Sequence, residues 1–480
     1  MNRRKRATEL RRVVLSIVVF SFATSLNPAL AQTATRRAAQ RSRLNPAIVS
    51  IVRQIDARNI ERTIRQLVSF GTRNSLSEQN DPKRGIGVAR DWLYAEFQKV
   101  AETSGGRMTV EKQTFEQQKA ARVPQPTMMT NIVATLKGSQ PQAADRVYVV
   151  SGHYDSMCNS PTDAKCDAPG ANDDASGTAA VLEMARVMAK FEFDATIVFM
   201  TVPGEEQGLL GSTHFAEEAK QKNWNVDAML DNDIVGNSLG GNGIRDRGTV
   251  RVFSEGVPSN ETPAEATVRR SVGGENDSSS RQLARFIKET AAAYVPQMKV
   301  MMVYRRDRYG RGGDHIPFLE RGYPAVRFTE VNEDFRHQHQ NVRVENGVQY
   351  GDLPQFVDFA YIANVARVNA ASLAMLAYAP ARPKGVTIVS RLSDDTELHW
   401  DANTEPDLAG YEIVWRDTTA PVWTNSQPVG KVTSFVLKGM SKDNYFFGVR
   451  AVDNDGNRSP VSYPKPMTRQ QPERPASSNP

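Results

Sequence analysis

One short segment of the 480-residue chain concentrates side chains that can do chemistry. Residues 152–177, GHYDSMCNSPTDAKCDAPGANDDASG, contain one histidine, five aspartates and two cysteines between two apolar stretches. Carboxylates brought this close together repel one another and take up protons unless a cation neutralises them. Imidazole and carboxylate ligands suit zinc, which keeps an open position for water in catalytic sites. The segment therefore indicates a site for one or two divalent cations.

More acidic residues follow apolar segments that read as buried strands, namely RVYVVSG, TIVFMTVPG and AMLDND. The side chains at these strand ends, or just before the next helix, are His153, Asp155, Asp173, Asp174, Glu205, Glu206 and Asp233. The carboxyl ends of parallel strands meet at one edge of a sheet, so we expect these side chains to lie close together. An isolated H-x-D or E-E pair often occurs by chance. The prediction is specific because these motifs occur in order at successive strand ends.

The elements that must position these residues alternate between strand and helix, and a last helix runs to about residue 378. Continuous apolar strands between helices predict an α/β domain, with a mostly parallel sheet sandwiched by helices. APARPKG then reads as a linker. Short alternating strands after it predict a small all-β sandwich at residues 384–468, with Tyr445, Phe447, Val449 and Ala451 facing inward. Together with two tryptophans on earlier strands, this pattern resembles a fibronectin type III module.

The N-terminus has the features of a secretory signal peptide: a basic start, an apolar run and Ala29-Leu30-Ala31 as a cleavage site. An uncleaved membrane anchor is the alternative, for which the apolar run is short, and no later stretch reads as a membrane span. Residues 1–31 carry six basic residues and one acidic residue, hence five of the six formal positive charges of the chain. The remaining sequence is nearly neutral, which argues against a nucleic-acid partner. The protein is therefore expected to be secreted or periplasmic.

The motifs GHYDS, APGANDDASG, PGEEQGLLGS, DNDIVG and GGDHIPFLERGYPAV, with a late histidine, resemble the co-catalytic zinc aminopeptidase family. That family also contains glutamate carboxypeptidases and glutaminyl cyclases, and the resemblance covers about residues 85 to 375. It implies a zinc exopeptidase-like fold and two zinc ions per chain. By resemblance, His153 and Asp233 hold one zinc, Glu206 and His339 hold the other, and Asp173 bridges them.

The resemblance also implies that Glu205 is the general base and that Asp155 fixes the tautomer of the metal-binding imidazole. The late histidine is ambiguous, because FRHQHQN offers both His337 and His339, and the threonine- and aspartate-containing motif usual after the family histidine is missing; we favour His339. His315 matches a family position near the site that is not usually a metal ligand.

Cys158 and Cys166 both fall within the opening segment, and in an oxidising compartment we expect them to form a local disulfide. The alternative, a pair of metal thiolates, is disfavoured because the spacing is too wide for a C-x-x-C site.

The predicted function is a secreted zinc exopeptidase, most simply an aminopeptidase acting on peptides or proteins. A carboxypeptidase or glutaminyl cyclase is the alternative within the family, and the arginines of YRRDRYGRGGDH (Arg305, Arg306, Arg308 and Arg311) could then bind a terminal carboxylate. A non-catalytic surface-binding protein, or contact with a surface or polymer through the sandwich, is the third possibility. The predicted boundaries are 1–31 signal peptide, 32–380 peptidase domain, 384–468 sandwich and 469–480 disordered tail.

Overall fold

The computed structural model describes residues 44–467, so the predicted signal peptide and C-terminal tail lie outside the described residues. The helices are α1 (Pro46–Gln54), α2 (Ala57–Ser69), α3 (Ile86–Glu102), α4 (Ala175–Met188), α5 (Leu210–Gln221), α6 (Pro263–Ser271), α7 (Ser279–Tyr294), α8 (Ile316–Glu320) and α9 (Phe359–Tyr378). The strands before α9 are β1 (Met108–Gln117), β2 (Thr127–Leu136), β3 (Arg146–His153), β4 (Thr196–Val202), β5 (Asn225–Asn232), β6 (Thr249–Phe253), β7 (Lys299–Val303), β8 (Ala325–Glu330), β9 (Arg343–Glu345) and β10 (Val348–Tyr350).

The first eight strands form one sheet in the order β1-β2-β4-β3-β5-β8-β6-β7. The four central strands β4, β3, β5 and β8 run parallel, which confirms the α/β class. The sheet is nevertheless mixed, because β2 is antiparallel to β1 and β4, and β6 is antiparallel to β8. Residues 118–126 join β1 directly to β2 instead of through a crossover helix, and a direct connection of this kind favours antiparallel pairing.

Side chains of the central strands alternate between two apolar cores, one on each face of the sheet. Along β3, Tyr148 and Val150 pack with helices α1 to α4, α7 and α9, whereas Val147 and Val149 pack with α5 and α8. Helix α9 is the one helix in the described chain that is long and apolar enough to cross a membrane by length and composition. It is instead largely enclosed here, with 72% of its most apolar window buried, as in a core helix.

After α9 the chain forms seven short strands: β11 (Thr387–Ile388), β12 (Thr396–His399), β13 (Leu408–Asp417), β14 (Asn425–Gly430), β15 (Ser434–Leu437), β16 (Tyr445–Asp453) and β17 (Lys465–Pro466). They make two sheets, β15-β12-β11-β17 and β14-β13-β16, whose inner side chains share one apolar core. Phe447, Val449 and Ala451 are buried in that core as predicted, and Tyr445 lies at its margin. The all-β part is confirmed, and its kinship to fibronectin type III stays a prediction.

The sandwich packs against the α/β domain through buried charged groups. Asp277 accepts hydrogen bonds from Arg285 of α7 and from Arg416 of β13, both at 2.7 Å. Arg146 at the start of β3 pairs with Glu405 at 2.9 Å. The same guanidinium donates to a carbonyl of the segment read as a linker, that of Ala379. This segment is therefore a packed connection between the two parts.

Candidate metal centre

Three neighbouring parallel strands deliver the predicted residues to one edge of the sheet. His153 is the last residue of β3, Glu205 and Glu206 follow β4, and Asp233 follows β5. Glycines allow the close approach of these elements: a Cβ on Gly152 would lie 2.6 Å from the carbonyl carbon of Gly177 in α4. The loop ending in Asp173 is thereby brought against the end of β3.

The first group of possible metal ligands is His153, Asp173 and Asp233. Nε2 of His153 lies 3.2 Å from Oδ1 of Asp173 and 3.8 Å from Oδ1 of Asp233, and all three side chains are buried. Asp174, the next residue in the chain, belongs to neither group of possible ligands and has a structural role. Its carboxylate caps α4 by accepting the N–H of Gly177 and also accepts the N–H of His153.

The second group is Asp173, Glu206 and His339. Nε2 of His339 lies 2.9 Å from Oδ2 of Asp173 and 3.1 Å from Oε2 of Glu206. His339 has a positive φ of 54°, a backbone conformation that non-glycine residues rarely adopt. Asp173 therefore belongs to both groups, and each of its carboxylate oxygens faces one of them.

The chemistry of these donors fits zinc. Each group holds one imidazole nitrogen and two carboxylates, whose ligand atoms lie within 4.8 Å of one another. Within residues 44–467, His153 Nε2, Asp233 Oδ1 and Glu206 Oε1 are buried atoms without a hydrogen-bond partner. Buried polar atoms are almost always paired, so these three atoms mark positions where a cation would complete the site.

Without a metal ion, the charges of the side chains at this edge of the sheet are not balanced. Burial raises the pKa of Glu206, and the neighbouring Asp173 carboxylate raises it further against the effect of His339. Burial lowers the pKa of His339, but Glu206 and Asp173 outweigh it and raise that pKa to about 11. Without metal, the acidic groups are thus stabilised by protons on their neighbours, a role that a cation can take over.

Asp155 holds both the imidazole and the glutamate loop in place. Its Oδ1 lies 3.3 Å from Nδ1 of His153, which leaves Nε2 to face the centre. Its Oδ2 accepts hydrogen bonds from the hydroxyl of Ser75 at 3.0 Å and from the N–H of Glu206 at 3.3 Å. One carboxylate therefore sets the orientation of one candidate ligand and the backbone of another.

Glu205 differs from its neighbour Glu206 although the two are adjacent in sequence. Its side chain is partly exposed and lies outside both ligand groups, whereas Glu206 is 3% exposed. Burial by the surrounding protein raises the pKa of Glu205 well above its usual range, and Asp233 and Glu206 add to this against the effect of His153. Glu205 is thus a carboxylate with a raised proton affinity beside the candidate ligands.

The other two histidines named from the sequence lie outside the ligand groups. His337 stacks on Phe356 with ring centroids 3.7 Å apart, and burial lowers its pKa. His315 is fully buried, with Nδ1 3.1 Å from Oδ2 of Asp231 and Nε2 3.0 Å from the carbonyl oxygen of Arg306. His315 therefore joins β5 to the loop before α8.

Sequence reasoning missed two charged residues behind the centre. Nη2 of Arg327, which is fully buried in β8, lies 2.8 Å from Oδ2 of Asp233, and its Nη1 donates to Asp307 at 3.1 Å. Asp352 accepts the N–H of Asp173 at 2.7 Å. Arg327 could have been noticed as an arginine inside the apolar run YPAVRF, whereas no motif marked Asp352.

The two cysteines of the opening segment form the predicted Cys158–Cys166 disulfide. The disulfide loop lies beside the segment that follows His339, because the N–H of Asn159 donates to Asn341. The cysteines are therefore part of the frame around the centre and supply no thiolate to it.

Comparison with known proteins agrees with the family resemblance. Residues 131–352 match Peptidase family M28. The chain is 50% identical over 420 residues to a probable zinc metalloprotease of Leptosphaeria maculans, covering 87% of this chain and 97% of that protein. It is 49% identical over 420 residues to a probable zinc metalloprotease of Pyricularia oryzae, covering 86% of this chain and 83% of that one. Among solved structures, the LapA aminopeptidase of Legionella pneumophila is similar with a TM-score of 0.48 and 20% identity, over 68% of this chain and 74% of that chain. The identity of 50% and 49% to the two metalloproteases, over 87% and 86% of this chain, shows that the protein belongs to peptidase family M28, as a zinc metalloprotease.

Proposed function

We propose that the protein is an exported exopeptidase that holds two zinc ions and removes amino-terminal residues from peptides. The observation that carries the proposal is the sharing of Asp173 between two complete ligand groups. Each group by itself supplies the three protein ligands typical of a catalytic zinc, so the five residues offer positions for two zinc ions. His153 and Asp233 would hold one zinc, Glu206 and His339 the other, and Asp173 would bridge them.

Zinc at such a centre supplies Lewis acidity, which polarises the carbonyl of a peptide bond and lowers the pKa of water. Glu205 supplies the proton transfers. Its carboxylate accepts a proton from the attacking water and donates it to the nitrogen of the leaving amine, because it lies beside the candidate ligands without belonging to either ligand group. Asp155 keeps the His153 imidazole in the tautomer that leaves Nε2 free for metal.

Recognition of a free amino terminus is supported by charge. The carboxylates of Asp173, Glu205, Glu206 and Asp233 lie at one edge of the sheet and would balance the charge of two zinc ions, so the centre has no excess positive charge for a terminal carboxylate. A carboxypeptidase would need a cation aimed at the substrate terminus. A matched pair of peptides, one acetylated at its amino end and one amidated at its carboxyl end, separates the two. Cleavage of the acetylated peptide alone would reject the aminopeptidase assignment.

The mechanism is tested by Glu205→Gln. The amide keeps the shape of the side chain but cannot accept the proton, so we expect kcat to fall by about 100-fold or more. Zinc content by elemental analysis should stay near two per chain, since Glu205 lies outside both ligand groups.

The matched control is Glu217→Gln, which changes a glutamate that is half exposed and paired with Arg321 on the surface. It should leave both kcat and zinc content unchanged. Near-normal turnover in Glu205→Gln would mean that another group carries the proton. Export is checked separately by sequencing the amino terminus of the secreted protein, which should begin at Gln32.

A further inference from the structure

The loop between β7 and α8 carries four arginines, and most of them are already engaged by other side chains. Arg306 pairs with Glu320 at 2.7 Å, and Arg308 pairs with Glu333, whose side chain is 7% exposed, at 2.9 Å. The guanidinium of Arg305 lies over the ring of Tyr309, 4.0 Å from its centroid. These contacts show how the loop is fixed in place.

Arg311 is held differently. Its nearest carboxylate is that of Glu333 at 3.7 Å, which Arg251 and Arg308 already contact at 2.6 and 2.9 Å. The one hydrogen bond that its guanidinium donates within the described chain, at 3.4 Å, goes to the neutral side-chain oxygen of Gln338. The charge of Arg311 is therefore weakly neutralised, and its side chain is 32% exposed.

Arg311 also lies at the rim of the metal centre. The Gln338 side chain that it contacts donates its N–H to Oδ2 of Asp173 at 3.1 Å, so one amide group separates the guanidinium from the shared candidate ligand. The next residue, Gly312, approaches Leu209 in the turn that follows Glu205: a Cβ on Gly312 would lie 3.8 Å from its side chain. Arg311 would thus lie about two extended peptide residues away from a peptide bond that is held at the centre.

We infer that Arg311 binds a carboxylate of the peptide substrate, close to the bond that is cleaved. The inference rests on the proposed peptide hydrolysis at this centre and names its substrate class. A guanidinium recognises a carboxylate through two parallel hydrogen bonds, and Arg311 has a weakly neutralised guanidinium at this rim. The carboxylate can be the C-terminus of a short peptide or an acidic side chain next to the scissile bond.

The test compares Arg311→Gln with wild type on two substrate pairs, all with free amino termini. One pair is a dipeptide and its C-terminal amide, which reports on the terminal carboxylate. The other is a longer amidated peptide with Glu or Gln after the scissile bond, which reports on the side chain. We expect Arg311→Gln to lower kcat/KM roughly 10- to 100-fold through KM for the carboxylate member of at least one pair. The neutral members should change less than threefold.

The matched control is Arg306→Gln, an arginine of the same loop that is committed to Glu320. It should leave both pairs unchanged. A binding measurement does not depend on turnover: in the zinc-loaded Glu205→Gln background, calorimetry with the dipeptide should show the same loss on adding Arg311→Gln.

The inference is overturned if wild type does not distinguish the members of either pair, or if Arg311→Gln weakens carboxylate and neutral members equally. Either result leaves the peptidase assignment intact. Absence of cleavage of every peptide by the zinc-loaded wild type would instead refute the proposed function, while the calorimetric comparison would still support or overturn carboxylate binding by Arg311.

Discussion

Replacing Arg327 by methionine tests whether the ion pairs behind the centre hold it in place. Methionine keeps much of the length and apolar bulk of the side chain but removes the guanidinium. Arg327 is fully buried and contacts two buried carboxylates, those of Asp233 at 2.8 Å and Asp307 at 3.1 Å. The substitution therefore leaves two acids without their shared cation.

The expected cost follows from what each acid keeps. Removing one partner of a buried ion pair typically costs about 3–5 kcal/mol. Asp307 retains a contact with Nε of Arg308 at 3.3 Å, and Asp233 still faces His153. The lower end of the range, about 3 kcal/mol in the metal-free protein, is the appropriate value. Zinc beside Asp233 would replace part of the lost positive charge, so the zinc-loaded protein should lose less.

The effect should also depend on pH. Burial opposes ionisation of Asp307, but Arg327 and His315 outweigh it and hold its pKa well below the usual range. A lowered pKa adds stability above the unfolded pKa of about 4, and that stability is lost as the pH falls towards the folded pKa. The difference between wild type and Arg327→Met should therefore be largest near neutral pH and shrink in acid.

The assay is urea unfolding of the metal-free proteins at several pH values, with zinc affinity measured by competition with a chelator. Arg327→Met should bind zinc more tightly than wild type, because a zinc-loaded protein that loses less stability than the metal-free protein must bind its metal more strongly. Arg306→Met, which removes a surface ion pair, is the control and should change the free energy of unfolding by less than about 1 kcal/mol. A similarly small change in Arg327→Met, with unaltered zinc affinity, would refute the reasoning.

Two further predictions concern the late histidine and the sandwich. His339→Ala should lose zinc and turnover, whereas His337→Ala should keep both, because only the first reaches the ligand groups; the reverse result in elemental analysis would reassign the ligand. A chain ending at Tyr378 should show a lower melting temperature than the full chain, because it loses Arg416 from the buried pair with Asp277. Equal melting temperatures would show that the sandwich contributes nothing to the stability of the α/β domain.

The positions of the candidate ligands could be predicted because they depend on local sequence. His153 is the last residue of a buried strand, and Glu206 and Asp233 follow two such strands, so period and strand ends suffice to place them at one edge. The same holds for the sandwich strands, whose alternation placed Phe447 and Val449 in the core. The antiparallel β1–β2 edge was not anticipated, because nothing in the strand patterns distinguishes a hairpin from a crossover.

Contacts between residues far apart in sequence could not be predicted. Arg327 meets Asp307 and Asp233 across the sheet, and Asp352 reaches the backbone of Asp173 over 179 residues. No spacing rule connects such partners, since they depend on how completed elements pack. The sequence segment APARPKG was read as a linker for the same reason: its contacts with Arg146 and Asp227 exist only in the folded chain.

These long-range contacts bear on how the centre tolerates its own charge. Asp233 has one oxygen beside Arg327, and its other oxygen, which faces His153, has no hydrogen-bond partner among residues 44–467. Both oxygens of Asp173 face the candidate metal positions. Arg327 thus neutralises part of the negative charge of Asp233 from the side away from the centre. The remaining negative charge of the ligands is left for a bound cation to neutralise. Two zinc ions would bring four positive charges to the carboxylates of Asp173, Glu206, Asp233 and Glu205. Because the unfolded chain has no such preformed cluster, the free energy of zinc binding stabilises the folded state, and folding and metal binding are linked.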